Sequence, residues 1–160
     1  YRAGVAAVRP DCRVLVGYVG VTSNAFKDPA KGREIALAQY REGADVIFHA
    51  SGSTGLGLFE AARETGGLAI GVDSDQADEA PGRVLTSMVK EVDATVFRLV
   101  AEVRDGRFAG GVRSFGLAED GVDWVYDARN RDLVGDTARA RADALKADIV
   151  AGRIRVPTAP

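Results

Sequence analysis

The 160-residue chain reads as an α/β protein built on a parallel, doubly wound sheet. Three observations predict this. Two short apolar runs, Ala44–Ala50 and Leu68–Val72, each lead into a polar, glycine-rich or acidic turn. Between them lies a stretch with apolar residues at helical spacing. An earlier apolar run, Arg13–Tyr18, is followed by a second such stretch. Strand, helix, strand, helix, strand in that order needs crossover connections, so the strands are expected to run parallel with helices covering both faces.

The opening Tyr1–Val8 looks like part of a helix, and with Tyr rather than Met first the chain is expected to be a fragment or a processed product. Arg13-Val-Leu-Val-Gly-Tyr18, apolar and β-branched after Pro10-Asp11, is expected to be a buried strand. A polar, irregular loop spans Val21–Lys27. Asp28-Pro29 is a helix start, because the aspartate can accept from the first turn and proline has no N–H to leave unpaired. Ile35, Leu37, Ala38 and Tyr40 carry this helix to Gly43, and the strand Ala44–Ala50 follows. Leu58, Ala61 and Ala62 recur at helical spacing until Gly66-Gly67 terminates them, before the strand Leu68–Val72. Val84–Lys90 is a further candidate strand. Val92, Val96, Leu99 and Val103 form an apolar stripe on a helix ending near Gly106. A short strand is expected around Val112–Phe115. A last helix, roughly Asp136–Ala151, is expected to bury Ala138, Ala142, Leu145 and Ile149 and to end at Gly152, followed by an irregular tail, Arg155–Pro160.

Composition narrows the function classes. With Lys+Arg 21 against Asp+Glu 23, the net charge of -2 offers no general attraction for nucleic acid or an anionic membrane. A hydrophobic share of 46% with 19 glycines and 5 prolines suits one globular α/β unit. The single cysteine, Cys12, has no internal disulfide partner, and between Asp11 and Arg13 it does not look like a lipid-attachment site. No stretch of these residues resembles a signal peptide or a membrane span.

Ligands of open α/β sheets bind beyond the carboxyl ends of the strands. Here those ends carry Ser51, Ser53, Thr54, Asp73 and Asp75. Asp73 and Asp75 could bind a metal, act as acid and base, or accept from sugar hydroxyls, or one of them could simply close a turn on its own backbone. Metal binding is the weaker option, since no third carboxylate or histidine cluster is near. The Ser51–Gly55 turn is neither a Walker loop nor a nucleophile elbow. It could present N–H groups and hydroxyls to a ligand, or merely start a helix through Ser53 or Thr54. His49, the only histidine, sits at an apolar strand end and reads as packed or site-lining rather than catalytic. Phe26, an aromatic in a hydrophilic loop, could stack on a planar ligand or fold back on the core. Trp124 and Tyr126 read as packing anchors. Lys90 ends an apolar run, where lysines are usually just solvated.

Six segments then resemble a known family in order along nearly the whole chain. They are Tyr18-Val-Gly with Ala25-Phe-Lys-Asp-Pro-Ala-Lys-Gly32, Gly43-Ala-Asp-Val-Ile-Phe48, Gly52-Ser-Thr-Gly-Leu-Gly57, Ile70-Gly-Val-Asp-Ser-Asp-Gln76, Leu85-Thr-Ser-Met-Val-Lys90 and Phe115-Gly-Leu-Ala-Glu-Asp-Gly-Val122. Together they resemble the BMP family of ABC-transporter substrate-binding lipoproteins of the purine-nucleoside-receptor type, and specifically its C-terminal half. The resemblance implies a type I periplasmic-binding-protein fold, in which two α/β lobes close on a nucleoside. It implies residues 1–90 as the C-terminal lobe, 91–111 as a crossover helix belonging to an N-terminal lobe, and 112–160 as a return segment with the C-terminal helix. Asp73 and Lys90 match the pair that holds the ribose hydroxyls. Phe26 matches the aromatic that stacks on the base, and Gly52 and Ser53 match the turn lining the cleft. Implied partners are a purine nucleoside or similar small solute and an ABC permease, with no nucleic acid, cofactor, metal or catalysis. The implied location is the periplasm or cell surface, as a membrane-associated lipoprotein. Two other classes share the fold signal: a ligand-sensing domain of a regulator, and a sugar-phosphate or nucleoside enzyme using Asp73 and His49.

Overall fold

A computed structural model describes residues 1–157. The last three residues of the expected tail lie outside it. After helix α1 (Arg2–Val8), the chain runs without regular structure to a short 3-10 turn, Ser23–Phe26. Helix α2 (Pro29–Arg41) starts as its sequence requires, with Asp28 Oδ1 accepting from the Lys31 N–H at 2.9 Å and Pro29 in the first turn. Strand β1 (Val46–Phe48) leads through a 3-10 turn, Gly52–Gly55, into helix α3 (Leu56–Thr65). Gly66, at φ 79°, ends α3 in the left-handed conformation that glycine adopts without steric cost. Strands β2 (Leu68–Asp73) and β3 (Val84–Lys90) follow, then α4 (Val92–Arg104), β4 (Val122–Trp124), α5 (Arg131–Val134) and α6 (Asp136–Val150). The sheet has order β1-β2-β3-β4, parallel through β3, with β4 antiparallel on its edge.

The core lies on one face of this sheet. Ile47 pairs in register with Ala69, so both point to the same side, where Ala36, Leu37, Leu58, Phe59, Ala61 and Ala62 from α2 and α3 meet them. Burying a side chain such as Leu58 or Phe59 stabilises by about 1.5–3 kcal/mol. Tyr40 tethers α2 to β2 through its hydroxyl, which donates to the Leu68 carbonyl at 2.8 Å, and burial pushes its phenol pKa up to about 12.

Three expectations are corrected. Arg13–Tyr18 is not a strand: it runs beside α2, with Gly17 close to Ile35 and Gln39 and the Arg13 guanidinium on Glu42. A cavity of about 1150 Å³, lined by Val14, Leu15, Phe48, Ile70 and Leu85 among others, separates it from the sheet. A parallel ladder needs backbones about 4.8 Å apart, and an apolar run cannot pair across such a gap. The face bearing Phe48 and Ile70 opens on that cavity and is approached by α1, whose N-cap residue Tyr1 stacks on Phe48 at 5.2 Å.

The expected strand at Val112–Phe115 is also absent, in a segment broken by Gly110-Gly111. Pairing occurs further on, at Val122–Trp124, because tertiary hydrogen bonds draw that backbone in. The Glu91 N–H donates to the Gly121 carbonyl, and buried Asn130 donates from Nδ2 to the Leu85 and Val125 carbonyls at 3.0 and 2.8 Å. Finally, α6 buries no residue: Ala138 is exposed, and Ala142, Leu145 and Ile149 are half-buried, where the helix meets α5, the turn at Leu117–Glu119 and, through Lys146 paired with Asp123, the edge strand β4. The α4 stripe is likewise uncovered. Val92, Val96, Phe97, Val100 and Val103 are each at least 52% exposed, Leu99 is half-buried, and the helix buries no residue; it is tied to the rest of the chain through Arg98 on the Glu119 carbonyl and Glu102 on Arg113.

Candidate functional site

The carboxyl ends of β2 and β3 bring Asp73 and Lys90 together. The strands are parallel neighbours with Asp73 opposite Val89, so Lys90 emerges one residue beyond that pair. Lys90 Nζ lies 2.6 Å from Asp73 Oδ1, and both side chains are about half exposed. Asp73 has φ 71°, a left-handed backbone in a non-glycine residue, and the Ser74 N–H turns back to the Val72 carbonyl at 2.9 Å. Such conformations cost free energy and persist where surrounding structure enforces them. A carboxylate beside an ammonium at an open sheet end offers two acceptor oxygens and up to three donors to a ligand carrying adjacent hydroxyls.

Asp75 behaves differently. One of its oxygens accepts from the Ala77 N–H at 3.0 Å and the other pairs with the Arg129 guanidinium, which also holds Asp127. One aspartate therefore faces the open end of the sheet while the other is engaged in a turn and an ion pair.

At the end of β1 a second set of residues converges. Thr54, 1% exposed, donates from Oγ1 to the Ala25 carbonyl at 2.7 Å and accepts from the Asp28 N–H at 2.8 Å. Ser53 Oγ donates to the Phe26 carbonyl at 2.9 Å. Gly52 has φ 55°, and a β-carbon there would lie 3.1 Å from the same carbonyl oxygen. The Gly52–Thr54 turn thus clamps the Phe26 loop through its backbone. Neither Ser53 nor Thr54 caps α3, which has no side-chain cap. Phe26 is 53% exposed, so it is not a plug on the core.

His49 lies under this arrangement. Its ring is buried, edge-on to Phe59 at 5.5 Å, and Gly55 packs so closely on it that a side chain there would displace it. Nε2 meets Gln76 Oε1 at 3.0 Å and Nδ1 meets Ser51 Oγ at 3.3 Å. Burial pushes the imidazole pKa down, against smaller upward pulls from the Gln76 hydrogen bond and the Asp73 charge.

The structure therefore joins the five sequence-predicted site residues into two groups, Asp73 with Lys90 and Phe26 with Gly52 and Ser53, both at strand carboxyl ends. The large cavity reaches Phe26, His49 and Ser51 at one end, while Asp73 and Lys90 do not line it. Sequence reasoning missed Gln76, Arg129 and Asn130. Their roles come from long-range pairing, and no local spacing marks them. No group of three or more His, Cys, Asp or Glu side chains is placed to hold a metal ion among the described residues.

Comparison with known proteins gives this arrangement a context. The family model described as ABC transporter substrate-binding protein PnrA-like, Bmp, matches residues 1–159. The chain belongs to the Bmp family. It is 36% identical to the CD4+ T-cell-stimulating antigen of Listeria monocytogenes, over all of this chain and 48% of that protein. It is 33% identical to the ABC transporter nucleoside-binding protein BmpA of Lactococcus lactis, over 99% of this chain and 48% of that protein. Among solved structures, an ABC transporter system solute-binding protein from Conexibacter woesei superposes with a TM-score of 0.77 at 26% identity, covering 98% of this chain and 50% of that one. The Bmp family is one of substrate-binding proteins rather than enzymes, in line with the reading of binding without catalysis. The chain spans about half the length of the curated relatives it matches.

Proposed function

We propose that this Bmp-family chain serves as the C-terminal lobe of an extracytoplasmic substrate-binding protein that delivers a purine nucleoside to an ABC permease. The observation that carries the reading is the Asp73–Lys90 pair, 2.6 Å apart at adjacent strand ends and open to solvent. Paired in this way, the two groups can grip the 2′ and 3′ hydroxyls of a ribose together, one accepting and one donating. Phe26, held by Ser53 and Thr54 through backbone bonds, supplies an aromatic face for the base. The nucleoside-binding name of the Lactococcus lactis relative points to the same ligand class.

The uncovered surfaces support a division into parts. Residues 1–90 form the lobe, 91–111 are a crossover whose helix packs in an N-terminal lobe, and 112–160 return to the sheet edge through β4. The apolar exposure of α4 and the gap beside β1 are the surfaces that further polypeptide would cover. Anchoring as a surface or periplasmic lipoprotein belongs to the same proposal. No helix among the described residues is long and apolar enough to cross a membrane.

With one lobe present, a cleft ligand loses about half its buried surface, so affinity on the order of 1 mM is expected. Guanosine added to the isotopically labelled 160-residue chain should shift the amide resonances of Asp73, Lys90 and Phe26, whereas guanine should leave Asp73 and Lys90 unmoved. Guanosine that perturbs none of the three at saturating concentration would overturn the reading.

A further inference from the structure

The hydrogen-bond polarity around His49 can be assigned atom by atom. The Val72 N–H, inside β2, donates to Gln76 Oε1 at 2.8 Å, so Gln76 turns its carbonyl rather than its amide nitrogen inward. The same oxygen lies 3.0 Å from His49 Nε2. Two acceptors would repel there, so Nε2 carries the proton and Nδ1 keeps its lone pair. Ser51 Oγ, 3.3 Å from Nδ1, then gives its only proton to the ring. A hydroxyl committed in this way offers nothing but lone pairs to a molecule beside it. Ser51 is half-buried and lines the same cavity end as Phe26.

We infer that His49 is a positioning residue that makes Ser51 an acceptor-only group at the edge of the binding site, so that the site selects a ligand hydroxyl or amino group there. The ligand-reading part of this inference rests on the proposed nucleoside site. The ring is held in this role from three sides. Gly55 packs on it, Phe59 meets it edge-on, and Gln76 is itself fixed because its backbone N–H donates to Ser87 Oγ at 3.0 Å between β2 and β3. Polarity is thereby transmitted from the sheet interior to the cleft through one imidazole. A serine free of His49 would rotate and accept or donate indifferently.

Because the chain has a single histidine, the imaging of one imidazole by ¹⁵N NMR reports it directly. The labelled 160-residue chain is expected to show the neutral Nε2–H tautomer at pH 7.5, with Ser51→Ala moving the Nδ1 resonance and Ser51→Thr restoring it. An Nδ1–H tautomer, or an Nδ1 shift indifferent to Ser51→Ala, overturns the inference without reference to any ligand. Guanosine titration supplies the second arm, in which Ser51→Ala should weaken binding by about threefold to tenfold. Binding undiminished by Ser51→Ala overturns this inference alone. A chain that does not bind guanosine at all overturns the nucleoside reading, and Ser51's part in it as well.

Discussion

Replacing Gly57 with alanine sets two effects of opposite sign against each other. In an open helix the change stabilises by about 1 kcal/mol, since alanine loses less backbone freedom on folding. Gly57 is not in the open, for it lies where α3 crosses the start of α2. An added β-carbon would overlap the Pro29 carbonyl oxygen and stand 2.5 Å from the Arg33 backbone nitrogen. Ordinary contacts begin near 3.4 Å, and neither neighbour is the loose end of a side chain. The two helices would have to part by about 1 Å, loosening a layer whose tight packing supplies its dispersion energy. That layer contains Ala36, Leu37, Leu58, Phe59, Ala61 and Ala62, most of the buried core among the described residues. Overpacking of this kind costs about 1–3 kcal/mol, and contact with backbone puts Gly57 at or above the top of that range, so the helix gain does not offset it. The expected net loss is about 2 kcal/mol or more, a large share of the stability of a small domain. Urea denaturation followed by circular dichroism measures it, with Gly4→Ala in α1 as a control, because nothing lies within 4 Å of a β-carbon there. The control should hold or raise the midpoint. A Gly57→Ala midpoint equal to or above that of the unaltered chain would refute the reasoning.

Asp73→Ala should weaken guanosine binding at least tenfold, the loss expected for a charged hydrogen bond of about 1.5–3 kcal/mol, while Asp75→Ala should change it little because Arg129 already holds that carboxylate. Equal losses in a calorimetric or NMR titration would mean that the wrong carboxylate has been chosen. Phe26→Leu keeps an apolar side chain but removes the π face, so it should weaken guanosine binding while leaving the urea midpoint unchanged; a lowered midpoint with intact binding would make Phe26 a packing residue. The exposed stripe of α4 should drive self-association, which Val96→Lys combined with Val100→Lys abolishes in sedimentation velocity, whereas a monodisperse monomer before substitution would count against it. His49 is held below its usual pKa, so the folded state binds fewer protons than the unfolded state just below pH 6.5. Its contribution to stability is complete above about pH 6.5 and is lost as pH falls through the folded pKa. His49→Gln should flatten that part of the stability profile, and a profile unchanged by the substitution would contradict the assignment.

The parts of the fold legible in the sequence are those fixed by local chemistry. Asp28 caps α2 and Gly66 stops α3 because each needs only its immediate neighbours. β2 and β3 were legible because central parallel strands are continuous apolar runs. Arg13–Tyr18 has the same composition, yet a strand exists only with a partner in reach, and sequence periodicity carries no information about that distance. β4 is the converse case. Val122–Trp124 has little apolar run of its own and becomes a strand because Asn130 and the Gly121 carbonyl secure its backbone. At the site, spacing alone left Asp73 and Asp75 equivalent, and the family resemblance favoured Asp73. The geometry separates them through Arg129, a residue far away in sequence whose pairing no motif signals.

The packed half and the open half of the molecule meet at the candidate site, and this bears on how a ligand would be held. Every contact that fixes the site comes from the packed half. β2–β3 pairing holds Asp73 in its left-handed turn, Thr54 pins the Phe26 loop, and Gln76 and Gly55 lock His49. The uncovered elements, α4 and α6, supply none of them. The site's geometry therefore does not depend on whatever covers the exposed faces, so a ligand would find these groups already arranged and spend little of its binding energy ordering them. On the proposed function, a second lobe would add buried surface rather than assemble the site, and weak but correctly oriented binding by the 160-residue chain is the outcome expected from this packing.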